Sequence, residues 1–292
     1  MLQLNRPTAQ IIIPDDLPLE PALARTTHMA FGAHQDDLEI MAIDGILQCF
    51  QHPDQWFTGV VVTDGRGSPR SGPYQAYTDD QMWAVRNKEQ KKAAVIGEFA
   101  AQVLLDYPSS AVKDAANRQP VEDIRYLLQL ARPQVVYTHN LADKHPTHIG
   151  VALKVIEAIR SLPPADRPAK LYGCEVWRDL DWLLDEDKVT FNCSAHENMQ
   201  MALVGVFDSQ VTGGKRYDLA TMGRRRAHAT YATSHATDIT TGLTFGMDLT
   251  PLVADVTLDI SSYVQGYITR FAQEVTQRIS QMTSPEKKEV DA

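Results

Sequence analysis

The chain has 292 residues, 43% of them hydrophobic, and a formal net charge of −9. That length buries a substantial core in one large or two small domains, and the composition excludes a disordered, collagen-like or low-complexity chain. The acidic balance argues against a dedicated nucleic-acid binder, and no apolar run approaches the ~18 residues of a membrane span.

The N-terminal stretch MLQLNRPTAQIIIPDD lacks the basic start and long apolar core of a secretory signal. Apolar, β-rich runs then occur at Thr27–Ala33, Phe57–Thr63, Ala101–Tyr107, Val135–His139 and Leu171–Trp177. Helical spacing fills the intervals, with faces built on Leu38–Phe50, Met82–Ile96, Ile124–Ala131 and Ile149–Ile159. Strands alternating with helices predict a three-layer, Rossmann-like α/β fold with a largely parallel sheet and helices on both faces.

The last third is less regular. Lys188–Cys193 suggests a strand and Asn198–Phe207 a helix; Leu258–Ile279 suggests a closing helix with Ile260, Val264, Ile268, Phe271 and Val275 inward. No linker or repeat divides the chain, so one domain is expected over 1–282, with a core at about 27–210, an extension at 211–282 and a charged tail at 283–292. Three widely spaced cysteines, Cys49, Cys174 and Cys193, read as reduced, buried thiols of a cytoplasmic protein.

Two polar clusters sit at strand ends, where open α/β sheets bind ligands. The first is Ala33-His34-Gln35-Asp36-Asp37. Its two carboxylates suit a helix N-terminus, so capping is the ordinary reading of the cluster taken alone. The second runs from His139 to His148 and includes Asp143. Pro146 suits the first position of a helix, which places His145 at the cap and His148 in the first turn. Taken together, His34, Asp37 and His148 offer two imidazoles and a carboxylate, a set that leaves positions open on a catalytic zinc. Asp36 remains free to handle a proton.

These motifs resemble the LmbE-like, or PIG-L, family of zinc-dependent N-acetylglucosaminyl deacetylases. The family's AHPDD stands here as Ala33–Asp37, and its HPDH as His145–His148 after Asp143. Thr63-Asp64-Gly65, Arg86 with Glu89, and Asp208-Ser209-Gln210 extend the match over about residues 28 to 210. The resemblance implies one zinc per chain on His34, Asp37 and His148, although another divalent ion such as Fe²⁺ fits the same donors. It makes Asp36 the general base and His145 an aid at the carbonyl oxygen. Arg86 and Asp64 become candidates for the substrate side, although Arg86 and Glu89 also read as a helical ion pair.

The reaction it implies is hydrolysis of an N-acetyl group on a small-molecule amino sugar or glycoconjugate, giving acetate and an amine. Neither nucleic acid nor membrane is an expected partner, and the family's habit of homo-oligomers carries over as an expectation. Two departures stand out. Gln35 replaces a proline, which should loosen the turn, and Thr147 replaces an aspartate, so the carboxylate behind His148 must come from elsewhere, with Asp143 the candidate.

Two other functions remain open on the residues alone. Two histidines and a carboxylate also describe a mononuclear iron oxygenase, although that reading favours a β-rich scaffold. The sheet could equally serve a non-catalytic sugar- or nucleotide-binding module. Gly223-Arg224-Arg225-Arg226 reads as a solvated basic face, and the aromatic run Tyr172–Trp182 as packing that includes a candidate ring-stacking residue.

Overall fold

A computed structural model describes residues 4–283 of the chain; the charged tail expected at the C-terminus lies, from Ser284 on, outside the described residues. In chain order the elements are β1 Gln10–Ile12, α1 Leu19–Ala24, β2 His28–Gly32, α2 Asp37–Met41, α3 Ile43–Cys49 and β3 Phe57–Thr63. They continue with α4 Asp79–Ile96, β4 Ala101–Tyr107, α5 Ser109–Lys113, α6 Gln119–Ala131, β5 Val135–His139 and α7 Pro146–Arg160. The C-terminal part adds β6 Lys170–Cys174, β7 Lys188–Asn192, α8 Glu197–Gly205, α9 Asp208–Val211, α10 Tyr217–Tyr231, β8 Leu243–Asp248, α11 Thr250–Ala254 and α12 Ile260–Thr283.

The strands form one sheet in the order β1-β4-β3-β2-β5-β6-β8-β7. Its five central strands, β4 to β6 in that order, run parallel, while β1, β8 and β7 pair antiparallel at the edges. The predicted α/β class is therefore the observed one. The central strands are near-continuous apolar runs because helices cover both of their faces. One face carries the core built on Leu105, Ile124, Val155 and Leu171; the other carries that built on Leu38, Ile46, Phe57 and Phe99. From β2 the chain moves outward to β3 and β4, then returns to place β5 on the other side of β2. This reversal between β2 and β5 opens a crevice at their carboxyl ends.

Three sequence expectations need correction. The helix expected over Leu38–Phe50 is two helices, with a break at Ala42. The buried Arg225 guanidinium causes it by donating to the Glu39 carbonyl at 2.9 Å and the Ile40 carbonyl at 3.2 Å. A continuous helix would bond those oxygens to the Ile43 and Asp44 amides. Within Gly223–Arg226 the solvated-face reading fails only at the buried Arg225; Arg224 is half-buried and pairs with Asp179 at 2.7 Å, while Arg226 stays exposed and pairs with Glu197. In α12, Ile260 and Val264 pack on the core as expected, but Ile268, Phe271 and Val275 remain more than a third exposed, with Phe271 meeting the Trp182 ring edge-to-face. All three cysteines are free and buried. Among the described residues no helix is long and apolar enough to cross a membrane.

Candidate metal centre and active site

The crevice holds a cavity of about 360 Å³ whose walls include His34, Asp36, Asp37, Arg86, His145 and Trp177. His34 follows β2 directly, and Asp37 opens α2 one turn later. The Asp37 Oδ2 atom accepts the His34 backbone N–H at 2.7 Å, which closes the turn and fixes both side chains. His145 caps α7 with Pro146 in the first helical position, so His148 falls one turn inside, as its spacing predicts.

Three donor atoms converge. His34 Nδ1 lies 3.3 Å from Asp37 Oδ2, His148 Nε2 lies 3.4 Å from the same oxygen, and the two imidazole nitrogens are 3.3 Å apart. Neighbouring ligands around a tetrahedral ion with bonds of about 2.0–2.2 Å stand roughly 3.3–3.5 Å apart, so the triangle fits a zinc-sized divalent cation. Asp143 Oδ2 stands 3.4 Å from His148 Nδ1, which keeps the proton on that nitrogen and turns the Nε2 lone pair toward the triangle. Asp143 thus supplies the carboxylate that Thr147 cannot. His139, Asp143 and His148 form a second close group. It offers a poorer site, because His139 Nε2 already accepts the Ala33 N–H at 2.9 Å and neither His139 nor Asp143 reaches the cavity wall.

The electrostatics follow from the crowding. Burial opposes ionisation of Asp37, but His148, His139 and His34 outweigh it and hold the carboxyl below the usual range. Burial likewise disfavours a charged His148, yet Asp37 and Asp143 raise it above an ordinary imidazole. His145 goes the other way, pushed down to about 4 by burial and by the neighbouring His148 and His34.

Asp36 is the unusual residue. Its φ of 88° lies in the left-handed region, rare for a side chain with a Cβ. Its N–H bonds Gln90 Oε1 at 3.2 Å, and its carboxylate takes no capping bond but pairs with Arg86 Nη2 at 3.0 Å. The capping reading of Asp36 therefore fails. Burial pushes its carboxyl well above the usual range, with Arg86 opposing and Asp37 and Glu39 reinforcing the shift.

Arg86 is buried and also donates to the Gln35 carbonyl and the Ser68 hydroxyl. Its expected partner Glu89 instead accepts the Ser209 N–H at 2.8 Å and hydroxyl at 2.6 Å, so the helical ion pair does not form. Gln35 does not loosen the turn either: its side chain is buried and donates to Asn87 at 2.9 Å, tying the turn to α4. Gly65, with φ of 67°, passes so close to Gln35 and Arg86 that a Cβ there would collide with the Gln35 amide. Asp64 bonds Arg66 at 3.2 Å through both its carboxylate oxygens and is absent from the cavity wall.

The rest of the lining includes Gln210, from the Asp208-Ser209-Gln210 motif, and Trp177, from the aromatic run, together with Lys113, Lys215 and Tyr217, whose sequence context gives little warning. Trp177 stacks beside His145 with ring centroids 6.4 Å apart, and Lys215 Nζ lies 4.8 Å from the Trp177 ring centre. His139 reads in the sequence as a strand end, yet its ring stacks on His148 at 3.9 Å and braces it. A larger hollow of about 550 Å³ beside α1 and α6 offers no histidine, cysteine or paired carboxylates for chemistry.

Comparison with known proteins finds relatives of the part of the chain that carries this arrangement. The family described as PIG-L, GlcNAc-PI de-N-acetylase, matches residues 29–159, from β2 to the end of α7, and so includes both polar clusters. This stretch is a PIG-L family domain. No curated protein matches the chain. Among solved structures, N,N'-diacetylchitobiose deacetylase from Pyrococcus horikoshii is similar with a TM-score of 0.61 and 13% identity, covering 85% of this chain and 92% of that one. A conserved protein from Thermus thermophilus matches with a TM-score of 0.57 and 20% identity, covering 74% and 92%. The 4-carboxy-2-hydroxymuconate hydratase of Pseudomonas putida matches at 0.56 and 14%, covering 80% and 99%. A fold shared by a deacetylase and a hydratase leaves the reaction to the residues of the PIG-L domain itself.

Proposed function

We propose that the protein is a metal-dependent hydrolase that removes the N-acetyl group of an amino sugar or glycoconjugate, releasing acetate and a free amine. The observation that carries this reading is a buried carboxylate, Asp36, on the cavity wall beside His34 and Asp37, which converge with the buried His148 behind them. A divalent cation, zinc by the donor set, would be held by His34, Asp37 and His148, and it supplies Lewis acidity to an amide carbonyl and lowers the pKa of water to about 7.

The remaining work falls to the chain. Asp36 takes a proton from the attacking water and returns it to the departing nitrogen. Its raised affinity for protons suits both steps, and Arg86 keeps the carboxylate aimed. His145, uncharged near neutral pH, acts as a hydrogen-bond donor to the oxygen that gains charge during attack, not as a cation. Trp177 and Tyr217 offer flat apolar faces to a sugar ring. Asp64, turned to Arg66, takes no part in this reading, and Arg86 positions Asp36 in place of gripping substrate hydroxyls. An iron oxygenase or a binding module would have no use for a proton acceptor placed this way.

The test is a panel of N-acetylated sugars incubated with zinc-loaded protein, following acetate and primary amine together. Equimolar release of both from at least one substrate is expected. Absence of acetate from every acetamide, with water added to an unsaturated acid instead, would move the assignment to the hydratase class.

A further inference from the structure

Two lysines face the catalytic cavity with no carboxylate to answer them. Lys113 and Lys215 both line it, and neither is ion-paired among the described residues. The carboxylates nearest to them in sequence are engaged elsewhere. Asp114 accepts the Ala116 N–H at 2.9 Å, and Asp218 holds the Arg216 guanidinium through two bonds of 2.9 and 2.7 Å. In a chain of net charge −9, two unanswered cations at one cavity reverse the local sign.

The fold brings the two lysines in on separate elements. α5 lies against α7 at Gly150, where an added Cβ would stand 2.7 Å from the Val112 carbonyl. Lys113, the last residue of α5, thereby shares the cavity lining with Thr147 in the first turn of α7. Thr147 stands where the family motif carries an aspartate, so this lining presents a hydroxyl in place of a negative charge. Lys215 comes from the turn between α9 and α10. Its N–H bonds the Gln210 carbonyl at 2.7 Å, and its Nζ lies 4.8 Å from the centre of the Trp177 ring that stacks beside His145. The other charges on the lining are already matched: Arg86 holds Asp36, and Asp37 belongs to the metal-binding triangle.

We propose, building on the deacetylase reading, that the substrate carries an oxyanion, a carboxylate or a phosphate, apart from its acetamide, and that Lys113 and Lys215 bind it. Lysine suits the task as a point charge on a flexible stem that can follow either group. A neutral sugar leaves both ammonium groups in water and gains nothing from them.

Equilibrium binding and turnover, measured separately on the zinc-loaded protein, test this. The probes are N-acetylglucosamine, its 1-phosphate and 6-phosphate, and N-acetylmuramic acid, which carries a carboxylate. At least one anionic sugar should bind about tenfold or more tightly than the neutral one, as a close charge pair allows, and the two phosphates against the carboxylate show which oxyanion is taken. Lys113→Met and Lys215→Met keep the apolar stems, and each should lower that preference. The double variant should abolish it, and Lys113→Arg with Lys215→Arg should retain it. The preference should also shrink as salt rises to about 1 M. Equal binding of neutral and anionic sugars would overturn the proposal, as would a preference that survives the double methionine variant because the anion sits on the metal. A preference lost with the lysines while no sugar releases acetate would uphold the anion site and overturn the deacetylase reading instead.

Discussion

The two walls of the cavity are built on different principles. The wall that follows β2 and β5 is interlocked: Asp37 and Arg86 on it, and Gln35, Asp143 and His148 behind it, are all buried, and each has a named partner. The facing wall comes from the loop after β6 and from the approach to α10. It is looser, with Lys215 resting on the Trp177 ring and the aromatic faces turned to the cavity. Charges that hold a cation and move a proton need fixed geometry in a dry setting, since an unpaired buried charge is costly. A surface that selects a sugar needs shape and apolar area more than fixed charge. On the proposed function, the first wall sets the chemistry and the second the substrate.

Substitutions can break that division. The largest effect is expected at Asp36. Asp36→Asn is nearly isosteric, keeps the metal ligands, and should lower kcat by about 10²–10⁴-fold with metal content intact. Turnover near that of the wild type would reduce Asp36 to a strained structural residue and remove the distinction between the walls.

Arg86 gives a smaller and more diagnostic effect. The sequence makes it a candidate for gripping substrate; in the structure it holds Asp36, Gln35 and Ser68. Arg86→Lys keeps the charge but loses the planar fork, so kcat should fall about tenfold or more while KM changes little. A change confined to KM would return Arg86 to the substrate-binding wall.

The smallest effect is expected across the cavity. Trp177→Ala removes an aromatic face and should raise KM several-fold with kcat largely preserved, as for a contact made equally in ground and transition states. If kcat collapses instead, Trp177 is needed to place His145, whose ring it stacks beside, and the second wall belongs to the chemistry.

The unequal legibility of the two walls in the sequence has the same origin. His34, Asp36 and Asp37 lie within four consecutive residues, and His145 and His148 share one helix start, so strand-end logic and local spacing place all five. Asp143 is visible for the same reason. Lys215 and Tyr217 reach the cavity only through long-range packing, which periodicity does not encode, and the aromatic run Tyr172–Trp182 offers a ring-stacking residue without saying that Trp177 is the one at the cavity. The break at Ala42 is hidden because its cause, Arg225, lies far along the chain. In α12 the apolar period is legible, but an amphipathic pattern does not say how much of it is covered, and Ile279 and Met282 stand exposed near its end.

The central claim is that His34, Asp37 and His148 hold one catalytic divalent ion. The direct measurement is a titration of metal-free protein with zinc, reading bound metal and deacetylation together on the wild type and on His148→Ala. Activity of the wild type should rise from near zero to its maximum at one equivalent per chain, while His148→Ala binds little metal and stays inactive. Full activity in the metal-free wild type, or a full equivalent held by His148→Ala, would contradict the account.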